Sequence, residues 1–206
     1  PAVSFEPNSF IKPTLYDWDG LNGLDLFLCV QNSTDDGKIY YFENDGNGTF
    51  TQNDNDNPFR NISDLGVCKV TFGNMDDDDL PEALVGTDKL DNEFRYFDYN
   101  GSVYQENTTN NPMSDWNSAE PEPKPQLLNY DDDGKIDLIV GTNGGTVRLY
   151  LNQSTTNFPD FSTFSNLKVK MGDGSTQDIT VGVGSAGFNR MADPMIVDLD
   201  GGTNYV

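Results

Sequence analysis

The chain has 206 residues, with 34 acidic side chains against 12 basic ones, no histidine, and a formal charge of −22. Phosphate binding needs clustered Lys and Arg, so this balance argues against nucleic acid and anionic membrane surfaces as partners. The lack of His removes the commonest general base and the commonest zinc ligand, and two Cys are too few for a Cys-rich zinc site.

Disorder fits the composition badly. Aromatic residues make up 12% of the chain and short apolar runs recur, whereas disordered acidic chains are poor in both. No apolar run reaches the roughly 18 residues of a membrane-spanning helix, so no direct membrane insertion is expected. No signal peptide is visible, and the opening Pro1–Phe5 reads as the start of a processed or partial chain.

In chain order, the first expected strand is Thr14–Tyr16, followed by an acidic loop, Asp17–Asp25, and a second strand, Leu26–Val30. A third follows at Gly37–Asn44, ending in the turn signal Asn44–Gly48. Asn53–Asn57 reads as a solvated turn.

The same order then repeats. Val67–Phe72 precedes the loop Asn74–Glu82, and Ala83–Val85 and Glu93–Asn100 follow it. Asn107–Pro125 is rich in Asn, Pro and Glu and reads as an extended connector. The third unit runs Gln126–Leu128, loop Asn129–Asp137, Leu138–Val140 and Gly145–Asn152. Within it, Leu167–Met171 and Gln177–Val183 flank Gly172–Ser175 as an extra hairpin. Met195–Val197 and the loop start Asp198–Asn204 open a fourth unit.

The loop starts are 57, 55 and 69 residues apart. The apolar runs are too short for helices and are bounded by Gly, Asn and Asp, so they are strands. The expected fold is all-β, with about four antiparallel strands per unit, the content of a propeller blade. The units fall at approximately 13–67, 68–124 and 125–193, with the start of a fourth at 194–206. That is about three and a half units in one domain.

The spacing of the acids points to calcium. This hard cation takes 6–8 oxygen ligands. Asp or Asn at positions 1, 3 and 5 of a tight loop, a carbonyl at 7 and a carboxylate at 9 can supply them. The third loop fills every position with Asn129, Asp131, Asp133, the Lys135 carbonyl and Asp137, and Gly134 allows the turn at position 6. The second uses Asn74, Asp76, Asp78, the Leu80 carbonyl and Glu82. The first has Asp17, Asp19, the carbonyls of Leu21 and Gly23, and Asp25, and is expected to be weaker because Leu21 lacks a side-chain oxygen. The fourth shows Asp198 and Asp200. Three calcium sites are therefore expected, with a fourth open. An EF-hand is excluded, because the flanks are strands and position 12 is Val85 or Val140.

Asp-x-Asp-x-Asp-Gly-x-x-Asp-Leu followed by an apolar strand ending in Gly86 or Gly141, with Phe72–Gly73 before the second loop, resembles the FG-GAP/VCBS repeat of the integrin α-subunit head and many secreted proteins. Cys29 stands where that strand's Gly would be in the first unit. The resemblance spans nearly the whole chain. It implies a β-propeller with one blade per repeat, commonly seven, and calcium loops in the first hairpin of each blade. A seven-bladed ring at this spacing needs about 400 residues, so this chain is expected to be part of a larger ring or to be completed by other chains.

An extracellular, cell-surface or secreted location is expected. Six N-glycosylation sequons start at Asn32, Asn47, Asn61, Asn100, Asn107 and Asn152. Cys29 and Cys68 are either one disulfide or two buried free thiols. The expected function is a calcium-stabilised adhesion, surface-assembly or structural scaffold, with a protein or glycan partner or with other copies of itself. No enzymatic activity is expected: the acids are explained as ligands, and no Ser elbow or phosphate loop is present. The alternative is a secreted carbohydrate-binding or polysaccharide-cleaving propeller. Trp18 is expected to pack on neighbouring strands, while Trp116 is open to a sugar or partner role.

Overall fold

The computed structural model describes residues 4–33, 36–76, 78–89, 93–116, 122–180 and 192–195. Among these the regular structure is all strand. The first sheet holds β1 (Phe10–Tyr16), β2 (Asp25–Gln31), β3 (Lys38–Asn44) and β4 (Phe50–Gln52). The second holds β5 (Lys69–Gly73), β6 (Glu82–Gly86), β7 (Phe94–Tyr99) and β8 (Tyr104–Glu106). The third holds β9 (Lys124–Leu128), β10 (Asp137–Gly141), β11 (Val147–Tyr150) and β12 (Ser165–Asn166). A separate hairpin pairs β13 (Lys168–Lys170) with β14 (Thr176–Asp178). Each four-stranded sheet is an antiparallel meander in sequence order.

The acidic loops join the first and second strands of each sheet. The residue before loop position 1 pairs with position 9 in all three: Tyr16 with Asp25, Gly73 with Glu82 and Leu128 with Asp137. The loops are therefore hairpin ends held at one register. The expected connector is shorter than its composition implied, since Lys124 and Pro125 already belong to β9.

The sheets pack face to face, and three apolar clusters lie between or beside them. In the first, Phe27, Ile39 and Tyr41 meet Val70, Phe72, Val85 and Phe97 of the second sheet. In the next, Leu84 and Tyr96 meet Leu127, Leu138, Val140 and Tyr150 of the third sheet. In the last, Ile139 and Leu149 pack with Leu167, Ile179 and Ala192. The strand period of two explains the division. Val85 points to one core and Leu84 to the other, so β6 and β10 are buried along their whole length. Each fully buried aliphatic side chain contributes roughly 1.5–3 kcal/mol to this packing. Trp18 joins the first core, edge-on to Phe27 and Tyr99.

Two contacts recur at the same register from sheet to sheet. The backbone at Gly86 abuts Pro123 and Pro125, and that at Gly141 abuts Ala192 and Pro194. At the equivalent place in the first sheet, Cys29 is disulfide-bonded to Cys68. Five residues before each loop stand Lys12, Lys69, Lys124 and Asp193. The Asp193 carboxylate accepts from Lys12 Nζ at 2.9 Å and also pairs with Lys69.

Candidate metal centre

All three described loops share one hydrogen-bond plan, and it follows from their sequence. The position 3 carboxylate accepts the position 5 amide: Asp19 from Leu21 (2.7 Å), Asp76 from Asp78 (2.9 Å) and Asp131 from Asp133 (3.2 Å). The position 5 carboxylate accepts the position 7 amide in the second and third loops, Asp78 from Leu80 (2.7 Å) and Asp133 from Lys135 (2.9 Å). Leu21 has no oxygen with which to make that bond. These are Asx turns, and they wind the chain tightly. The winding takes the left-handed region at Gly20 and Asn22 in the first loop and at Asp132 and Gly134 in the third, residues that tolerate it.

Position 9 closes each loop from below. Asp25, Glu82 and Asp137 are only 0%, 1% and 1% exposed. Each accepts the amide of position 2: Trp18 at 3.2 Å, Met75 at 2.5 Å and Tyr130 at 2.7 Å. The second oxygen of Asp25 accepts the Asn44 amide at 2.8 Å, and that of Asp137 accepts the Asn152 amide at 2.8 Å. The carboxylate thus ties the loop start to the end of the third strand. This pinning role was not read from the sequence. The donors are backbone amides, which any residue but Pro supplies, so no side-chain signal marks them.

Burial raises the pKa of all three carboxyls, against the backbone bonds that hold them ionised. Glu82 is pushed up to about 7, first by desolvation, with Asp76, Asp78 and Asp98 adding like-charge repulsion. Asp133 is held low by the Lys135 amide and ammonium, the latter 3.4 Å away.

The loops differ in how far their acids converge. Among the described residues, Asp76, Asp78 and Glu82 are the one trio that can each bring a carboxylate oxygen within 4.8 Å of the other two. Glu82 is one methylene longer than Asp25 and Asp137, which spend both oxygens on backbone amides. In the third loop the side-chain oxygen of Asn129 is buried and has no hydrogen-bond partner. Asn74 instead donates to the Asp78 carbonyl. Asp17 accepts the Gly20 amide at 3.0 Å at the exposed rim of the first loop. Asp198 and Asp200 lie outside the described residues.

Of the sequon residues, Asn47, Asn61 and Asn100 are exposed, while Asn32, Asn107 and Asn152 are half-buried. Asn107 donates its amide to Asp98 at 2.7 Å. The indole of Trp116 donates to Glu93, and its ring meets Phe94 edge-on.

No family model matches the chain, and no curated protein or solved structure matches it either. No helix among the described residues is long and apolar enough to cross a membrane.

Proposed function

We propose that the chain is a calcium-stabilised scaffold of FG-GAP/VCBS type, a propeller-forming protein that works outside the cell in adhesion or surface assembly. The observation that carries the reading is the convergence of Asp76, Asp78 and buried Glu82 at the end of the β5–β6 hairpin. Three carboxylates this close repel one another, and a divalent cation at their centre turns that repulsion into attraction. The unpartnered Asn129 oxygen supports a second cation position in the third loop. An all-oxygen set with no His or Cys suits a hard cation. The residues therefore fit calcium, and Asp17, Asp19 and Asp25 offer a third, looser set.

Bound calcium would hold each hairpin end closed and so brace the sheet packing behind it. The Cys29–Cys68 disulfide agrees with an oxidising compartment. The test is thermal unfolding in excess calcium and in excess chelator. The scaffold reading expects a clear loss of melting temperature in chelator, and an identical melting temperature in both would sink it. Isothermal titration of Asp131→Ala and Asp133→Ala should show weaker calcium binding at the third loop.

One observation favours a second reading, glycan binding. Trp116 and Phe164 flank the Arg148 guanidinium at 5.2 and 4.7 Å beside a cleft of about 170 Å³. An aromatic wall with a few polar groups is the usual form of a sugar subsite. A glycan-array signal abolished by Trp116→Ala, with calcium binding intact, would establish this reading over the first.

A further inference from the structure

We infer that two adjoining clefts beside β11 form one binding site for a neutral oligosaccharide, with an aromatic end and a polar end. The inference deepens the glycan reading above and rests on it. The aromatic end is the cleft of about 170 Å³ beside Trp116, Arg148, Tyr150 and Phe164. A second cleft, of about 460 Å³, runs along the 153–162 segment. Pro112, Asp115, Phe161 and Ser162 line both, so the two are continuous. The larger alone falls within the roughly 300–1,000 Å³ of small-molecule sites, and only a ligand of several rings spans the pair.

The walls are ordered in advance. Asn152 Oδ1 accepts the amides of Ser154 at 3.0 Å and Asp160 at 3.1 Å, which closes the 152–160 loop on itself. The Ser154 and Thr156 hydroxyls join at 2.9 Å. At the aromatic end, the Arg148 guanidinium is held between the rings of Trp116 and Phe164. Phe164 also leans on buried Tyr150, with ring centroids 5.3 Å apart. Walls already fixed by the chain leave little ordering cost for a ligand to meet.

The ligand class follows from what these walls leave unengaged. Phe164 is 52% exposed and offers a flat apolar surface to the C–H face of a sugar ring. Gln153, Thr155 and Asp115 line the clefts with exposed side chains that make no hydrogen bond among the described residues. An amide, a hydroxyl and a carboxylate match sugar hydroxyls, which both donate and accept. Charge argues against acidic sugars. Asp115 and Asp160 line the larger cleft, Arg148 is the one cation among the lining residues, and the chain carries −22. A uronate or sulfated sugar would be repelled.

The test is isothermal titration of the full chain with gluco-, manno- and galacto-oligosaccharides of one to four rings, and with galacturonate oligomers as charged controls. The expected result is an affinity for at least one neutral series that rises about tenfold or more from one ring to three, with no binding of galacturonates. Phe164→Ala should weaken binding at every length. Gln153→Ala and Thr155→Ala together should erase the gain with length and leave single-ring affinity unchanged. All three positions are exposed, so these variants should melt as the unaltered chain does. Equal affinity at every length, indifference to both sets of changes, or a preference for galacturonates overturns the inference and leaves the glycan reading standing. Binding of no sugar in the panel would overturn both.

Discussion

Cys29 is bonded to Cys68 at the register where, one sheet on, Gly86 abuts Pro123. The same sheet-to-sheet junction is thus made in two chemistries. At Gly86 and Gly141 the missing side chain lets the next unit's backbone approach, and a Cβ there would overlap a carbonyl of Pro123 or Ala192. At Cys29 a covalent bond spans the same gap. Gly86→Ala should therefore destabilise the chain by about 1–3 kcal/mol through overpacking. Paired Cys29→Ser and Cys68→Ser changes, which open a link 39 residues long, should cost about 4 kcal/mol. Urea unfolding of the three chains gives both values. A neutral Gly86→Ala would show that the close approach does not matter.

Asp193 draws two lysines from two different sheets. Burial alone would raise its pKa, but the bonds from Lys69 and Lys12 hold it below the usual carboxylate range. A carboxyl whose pKa is depressed on folding stabilises above its ordinary pKa and loses that contribution as pH falls through the folded value. Asp193→Asn should cost about 1–2 kcal/mol at neutral pH, since the group is partly exposed. It should also flatten the acid limb of the stability curve. The exchange Lys69→Asp with Asp193→Lys should recover part of the loss, and failure of the exchange to recover any would argue that packing, not charge, fixes Asp193.

Much of this was legible in the sequence. Short apolar runs punctuated by Asp, Asn and Gly fixed strand order, loop placement and the extra hairpin, because a two-residue period and turn chemistry are local properties. Trp18 packs on the first core, as expected of a large aromatic side chain. What the sequence hid is non-local. Nothing near Lys12 or Lys69 announces that both meet Asp193, over a hundred positions further on. Spacing made the third loop look the most complete, yet the acids converge in the second. The cause is the extra methylene of Glu82, together with backbone amides that claim both oxygens of Asp25 and Asp137.

Lys124 is fully buried, and desolvation lowers its pKa to about 8 from an ordinary 10.5. Between those values the unfolded chain binds more protons than the folded one, so stability should rise with pH there. The gain is about 3 kcal/mol over the window. It is opposed above about pH 10, where buried tyrosines such as Tyr96 and Tyr104, with raised pKa values, favour unfolding once they can ionise. Lys124→Met should remove the rise near pH 8–10. Denaturant unfolding at stepped pH in chelator checks this, and an unchanged slope in the variant would refute it.

Glu82 offers the sharpest test of the metal centre, because one substitution should have opposite effects with and without calcium. In the metal-free chain its buried carboxyl is crowded by Asp76 and Asp78, which is why its pKa climbs to about 7. Glu82→Gln removes that repulsion and keeps an oxygen for the Met75 amide, so the chain in chelator should melt at a higher temperature than the unaltered one. In calcium the same change deletes an ionised ligand, and the calcium-dependent rise in melting temperature should shrink. The carboxyl should also make the unaltered metal-free chain more stable as pH falls from about 7 towards the ordinary value of 4.5, since protonation relieves the burial of charge. A substitution that lowered the melting temperature equally in calcium and in chelator would mean that Glu82 serves only as the pin of its hairpin.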